Sequence, residues 1–239
     1  MNADDTNVQL GEKNDQSLDH VVDVPHEIQL YTWDCGLACV KMVLKHYSVN
    51  MGNFLQVCKE LQFGESVWTI DLANILALYR VEHHFYTVTL GVDKGYSGKA
   101  FYRAKFSSDE TRVNNLFQDA QYKGIPVSKG TIDADAILNH LTQNKVLIVL
   151  TDWNILKCLH CDKSCTPSLH CFGSLIKTYQ GHFIVVVGFN LKQKLIYYKN
   201  PAYDKEMCCC TMKNFEKARK SYGTDEDIIF VYGLENSVS

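Results

Sequence analysis

The segment QLYTWDCGLAC, residues 29–39, places a glutamine six positions before a cysteine that opens an apolar run. Acyl transfer by a thiol needs a nucleophile, a base, a group that orients the base, and a donor for the oxyanion. Cys35 begins CGLACVKMVLKHY, whose apolar positions 37, 40, 43 and 44 have helical spacing. The free N–H groups at a helix start carry partial positive charge, so the expectation is a thiol pKa lowered by its position. Those N–H groups and the side-chain amide of Gln29 are the candidate oxyanion donors. Gly36 is expected to leave room for substrate beside the sulfur. Asp34 is expected to cap the helix, and its charge opposes the thiolate.

His182 follows Gly181 at the start of the apolar stretch HFIVVVGF, and Asn200 lies eighteen positions later, after KLIYYK. If the two stretches pair as a hairpin, the imidazole and the amide come together, and the Asn carbonyl fixes the imidazole tautomer. The predicted catalytic set is therefore Cys35, His182, Asn200 and Gln29. Asp34, Gly36, Trp68 and Gly181 are the expected substrate contacts.

Several elements must position these groups. Residues 1–22 read as a disordered acidic tail, and 23–239 as one domain. Helices are predicted over 35–46, 53–63 and 66–81, then over the segments DETRVNNLFQDAQYKG, DADAILNHLTQNK and MKNFEKARKSYG. Strands are predicted for HHFYTVTLG, VLIVLTDW, GHFIVVVGFN, KLIYYKNPA and DIIFVYGL. Helices lead and strands dominate the second half, an α+β pattern.

The loop CLHCDKSCTPSLHC offers Cys158, Cys161, Cys165 and Cys171 as a candidate tetrahedral zinc set, although its spacing is not that of a standard finger. A flexible cysteine-rich loop explains it as well. Cys208, Cys209 and Cys210 read as ordinary thiols of a strand, and Cys39 as core. The acidic TDED at 224–227 reads as a solvated turn.

The net charge is −3 and no long basic run occurs, which excludes a dedicated nucleic-acid binder and a polybasic membrane surface. The longest apolar runs are too short to span a bilayer. The first twenty residues lack the apolar core of a signal peptide, and Asn2 excludes N-myristoylation. A cytoplasmic location, or a nuclear one, is expected, so the ten cysteines read as thiols or metal ligands.

The order Gln, Cys, His, Asn resembles the papain-like cysteine peptidases. DCGLAC, GHFIVVVGFN and NPA resemble the bacteriocin-processing C39 peptidases still more closely, with Asn200 in place of their Asp. From about residue 23 to 233 the chain resembles the guanylyl cyclase domain-containing protein 1 family and its plant relatives. QLYTWDCGLACVKMVL, SVWTIDLANIL, TLGVDKGYSGKAFY and SYGTDEDIIFVY carry that likeness. The resemblance implies a single papain-like, C39-like α+β domain, with N-terminal helices packed on a mainly antiparallel C-terminal sheet. The family name implies conversion of GTP to cyclic GMP, with Mg2+ or Mn2+, but no glycine-rich phosphate loop is present.

Three functions follow as expectations. The first is thiol-dependent hydrolysis of a peptide or isopeptide, with no cofactor in the reaction. The second is guanylate cyclase activity. The third is a non-enzymatic adaptor whose cleft binds a peptide or a ubiquitin-system protein.

Overall fold

The computed structural model describes residues 18–62, 64–92, 106–161 and 179–235. The strands are β1 (Asp19–Val21), β2 (Val81–Thr87), β3 (Val127–Lys129), β4 (Leu147–Asp152), β5 (Gly181–Asn190), β6 (Leu195–Lys199), β7 (Cys208–Thr211) and β8 (Ile228–Leu234). They form one sheet in the order β3-β2-β8-β4-β5-β6-β7, with β1 added along β5. Among the described strands only β2 and β3 run parallel. The described helices are α1 (Cys35–His46), α2 (Phe54–Glu60), α3 (Thr69–Leu78), α4 (Phe106–Ala120), α5 (Ala134–Thr142) and α6 (Met212–Arg219). None is long and apolar enough to cross a membrane.

The unbroken apolar runs of β4 and β5 follow from burial on both faces. Ile148, Leu150, Phe183, Val185 and Val187 pack toward α1 and α3. Leu147, Val149, Ile184 and Val186 pack toward α5 and α6. Helices therefore cover both faces of the sheet, the N-terminal α1 and α3 on one and the later α5 and α6 on the other. Local signals start the later helices. Asp133 Oδ1 accepts from the Ala136 N–H at 2.7 Å, and Thr211 Oγ1 from the Asn214 N–H at 3.2 Å.

The expected tail ends earlier than residue 22. Asp19–Val21 pair with Gly188–Asn190, and the Val22 N–H donates to the Val187 carbonyl at 2.8 Å. Residues 1–17 lie outside the described residues. The approach of β1 requires a glycine: a Cβ at Gly188 would stand 2.2 Å from the His20 carbonyl oxygen. Gly188→Ala is therefore expected to displace β1 and cost about 1–3 kcal/mol, as overpacking does. Urea unfolding, and faster hydrogen exchange at the Val22 amide, check this.

Candidate active site

The chain reaches Cys35 along an extended segment docked on the end of the β5–β6 pair. The Gln29 N–H donates to the Pro201 carbonyl at 2.9 Å, and His26 Nε2–H to the Asn200 carbonyl at 2.9 Å. Asp34 then turns the chain. Its carboxylate accepts from the Leu30 and Tyr31 N–H groups at 3.1 and 2.9 Å. It makes no cap bond to α1, contrary to the sequence reading, because both oxygens face back into this turn. The first amides of α1 therefore stay open toward the sulfur.

Cys35 Sγ receives the N–H of Phe183, then those of Gly36 and of Cys35 itself. These donors favour the thiolate. Burial outweighs them, and the Asp34 charge adds to burial, so the thiol pKa is raised. The expected lowering by the helix terminus is thus overturned: only 7% of Cys35 is exposed. Gly36 also has a different role from the one expected. A Cβ there would meet Phe183 and Leu72 side-chain atoms at 3.0–3.1 Å, so the missing side chain lets α1 settle on β5 and α3.

His182 and Asn200 meet as the hairpin reading expects. Val185 pairs with Lys199, so Asn200 falls just beyond β6 and diagonal to His182. Asn200 Oδ1 accepts from His182 Nε2 at 2.9 Å and from the Ala202 N–H at 3.0 Å. The Ala202 donor identifies that atom as oxygen, so the imidazole proton must sit on Nε2 and Nδ1 is left basic. Trp153 covers the ring edge-on at 4.2 Å and contacts Tyr203 in turn. Burial lowers the His182 pKa to about 4, against the Asn200 bond, and the ring is neutral at pH 7. No hydrogen bond joins Cys35 Sγ to this ring in the structure.

Cys35 opens into a cavity of about 410 Å³. Trp33, Trp68, Gly181 and Phe183 line it, together with Glu65, Asp225 and Asp227. Two of the expected substrate contacts, Trp68 and Gly181, are thus at the cavity wall; Asp34, Gly36 and Gln29 are not among its lining residues. The Gln29 amide donates instead to the Tyr31 carbonyl at 2.6 Å. Trp68 is positioned from below: Asp71 accepts from the Trp68 N–H at 2.8 Å, and Arg112 pairs with Asp71.

Asp227 escaped the sequence reading, which made 224–227 a solvated turn. Thr224 is fully buried and Asp227 only 9% exposed. Thr69 Oγ1 donates to Asp227 Oδ2, while Oδ1 is buried without a partner among the described residues. Burial, helped by the Asp225 charge, pushes the Asp227 pKa up to about 8. The available signal was the apolar strand immediately after it, which draws the turn's last residue inward. Asp225 and Glu226 both adopt positive φ, 49° and 52°. Such backbone concentrates at functional sites.

Only part of the cysteine-rich region falls among the described residues. Cys165 and Cys171 lie outside the described residues. Cys158 and Cys161 meet Cys208 of β7, and the three sulfurs lie within 4.8 Å of one another. All three thiols of the 208–210 run are buried.

Three comparisons place this architecture. The family model described as guanylylate cyclase matches residues 24–231. "Guanylyl cyclase 1" of Arabidopsis thaliana is 34% identical over 219 residues, covering 90% of this chain and 77% of that protein. A C39-like peptidase from Bacillus anthracis superposes with a TM-score of 0.52 at 12% identity, covering 90% of this chain and 97% of the other. That likeness shows the fold and no more.

Two outcomes test the electrostatics. Asp34→Asn removes the charge beside the sulfur, so the midpoint of the pH profile for Cys35 alkylation should move down by a fraction of a unit; peptide mass spectrometry reads it. Asp227 holds its proton when folded up to about pH 8 but loses it near 3.9 when unfolded, so its contribution to stability falls as pH rises between those values. His182 acts oppositely, and only below about 6.5. From pH 6.5 to 8, Asp227→Asn should therefore remove a loss of roughly 1 kcal/mol per pH unit, measured by urea unfolding. By its sequence and its architecture, the chain belongs to the family described as guanylylate cyclase, built on a C39-peptidase-like fold.

Proposed function

We propose that the chain is a thiol-dependent acyl-transfer enzyme that hydrolyses a peptide or isopeptide bond. The observation that supports this is that Cys35 and both neighbours of His182 line one cavity. The thiol opens a cavity beside Gly181 and Phe183, and the residue between those two is an imidazole whose tautomer is fixed by Asn200.

The resting pair is a neutral thiol and a neutral imidazole, because both groups are buried. His182 therefore works as a general base rather than as half of a preformed ion pair. Substrate binding brings Sγ and Nδ1 to hydrogen-bond distance, a closure common where resting contacts are long. The Sγ proton passes to Nδ1 as sulfur bonds the carbonyl carbon. The oxyanion takes hydrogen bonds from the Cys35 N–H and from Gln29, whose amide exchanges its bond to the Tyr31 carbonyl at a net cost of about 1 kcal/mol. Nδ1–H then protonates the departing amine, and an acyl thioester remains. Water, deprotonated by His182, releases the carboxylate and restores the thiol. Asp227 retains its proton at neutral pH and serves as a hydrogen-bond donor to a substrate carbonyl at the cavity wall.

A second reading is cyclisation of GTP, as the names of the family and of the plant relative say. Glu65, Asp225 and Asp227 in one cavity favour it, since paired carboxylates hold the metal ions of such chemistry. Two features weigh against it. Asp227 keeps its proton at pH 7, and among the described lining residues none is a Lys or Arg that would meet a triphosphate. The adaptor reading requires the cavity alone.

The test gives the purified chain a library of fluorogenic peptide amides and, separately, GTP with Mn2+. Acyl transfer predicts amide hydrolysis with a thioester trapped on Cys35. Cys35→Ser or His182→Ala should lower kcat by roughly 10⁴-fold or more, and Asn200→Ala by about 10²-fold. Cyclic GMP formed by both wild type and Cys35→Ser, but lost in Asp225→Asn, would select the cyclase. Inertness toward both substrates, with peptide binding kept in Cys35→Ser, would select the adaptor.

A further inference from the structure

On the sheet face that packs against α5 and α6, three thiols from distant parts of the chain converge. Cys158 and Cys161 come from the loop that follows β4, and Cys208 is the first residue of β7. Their exposures are 5%, 2% and 0%. The Cys161 and Cys208 sulfurs are 3.5 Å apart, and no pair in the cluster exceeds 4.8 Å.

We propose that Cys158, Cys161 and Cys208 form a structural site for a soft divalent metal, Zn2+ by preference, that fastens the loop after β4 to β7. A tetrahedral zinc with bonds of about 2.3 Å sets its sulfurs roughly 3.8 Å apart. The 3.5 Å pair and the 4.8 Å limit on the others lie within about 1 Å of that value, so side-chain adjustment alone lets the ion enter. The donors are all sulfur, with no carboxylate in the cluster, and this selects zinc over magnesium or calcium.

A second feature supports the assignment. The Cys161 N–H donates to Cys158 Sγ at 3.3 Å, and the N–H groups of Cys209 and His160 also face that sulfur. A turn that aims amide donors at its first cysteine is built for a thiolate, and thiolates are metal ligands. The buried Tyr198 hydroxyl, without a conventional hydrogen-bond partner among the described residues, faces the same cysteine. Lys205, bound to the His160 carbonyl at 3.2 Å, supplies positive charge near a site that carries net negative charge once three thiolates hold one Zn2+.

The loop is also tied down independently of any ion. The Leu159 N–H donates to the Cys209 carbonyl, the Lys157 N–H to Asn214 Oδ1, and Asn214 Nδ2–H to the Ile155 carbonyl, each at 2.8 Å. The three sulfurs are thus pre-positioned. The donor set differs from one confined to the loop, because its third member comes from β7. The fourth coordination position belongs to a donor outside these three residues.

The experiment is native mass spectrometry and elemental analysis of the full chain, purified without chelator, followed by replacement with Co2+. One zinc per chain is expected, with thiolate-to-cobalt charge transfer in the near ultraviolet. Cys208→Ser should lose most of the metal. Cys208→His, which restores a ligand, should keep it, and so should Cys210→Ser, a change two residues away on the same strand face. Three results would overturn the site: a metal-free chain with all thiols open to alkylation after denaturation, a chain 2 Da lighter through a Cys161–Cys208 disulfide, or undiminished zinc in Cys208→Ser. None of these results depends on whether Cys35 turns over an amide.

Discussion

Strand β5 is hydrogen-bonded to β4, β6 and β1, and its register against them sets nearly everything else. Its alternation sends Phe183, Val185 and Val187 to one core and Ile184 and Val186 to the other. Its first residues, Gly181 to Phe183, form the cavity wall, the imidazole and the amide that faces the thiol. A slip of one residue would exchange the two faces and remove His182 from Asn200 at the same time. The bulge between Val186 and Gly188 and the glycine-dependent contact with β1 help to pin that register.

Burial is the second organising influence, and it outweighs the local electrostatics. Cys35 has the helix terminus and three N–H donors that would ordinarily produce a thiolate, yet desolvation raises its pKa. Desolvation also keeps His182 neutral and Asp227 protonated. These three groups are thus neutral at rest, beside the Asp34 and Asp225 charges. In a medium of low dielectric, each becomes much more effective once substrate introduces charge.

The likeness to a C39-like peptidase and the membership of a family described as guanylylate cyclase concern different properties of the molecule. The first concerns the path of the chain. The second concerns shared sequence over residues 24–231. The cavity itself gathers one thiol, three carboxylic side chains and the two residues that flank His182. A fold of this type can carry more than one activity on such a wall.

What the sequence alone determined was local or periodic. The helix at Cys35–His46, the apolar strands and the pairing that brings His182 to Asn200 all follow from spacing, because secondary structure answers to nearest neighbours. Tertiary structure decided whatever depends on which groups lose water. Asp34 could cap a helix or order a turn, and only the path of residues 30–34 selects the turn. Gly36 could face substrate or a helix, and Leu72 and Phe183 take the space. Asp227 looked like one acid in a solvated run until β8 drew it inside. Cys208 became a neighbour of Cys158 only when β7 folded back beside the loop. A one-dimensional pattern records polarity and spacing, whereas desolvation and convergence are properties of atoms brought together from distant parts of the chain.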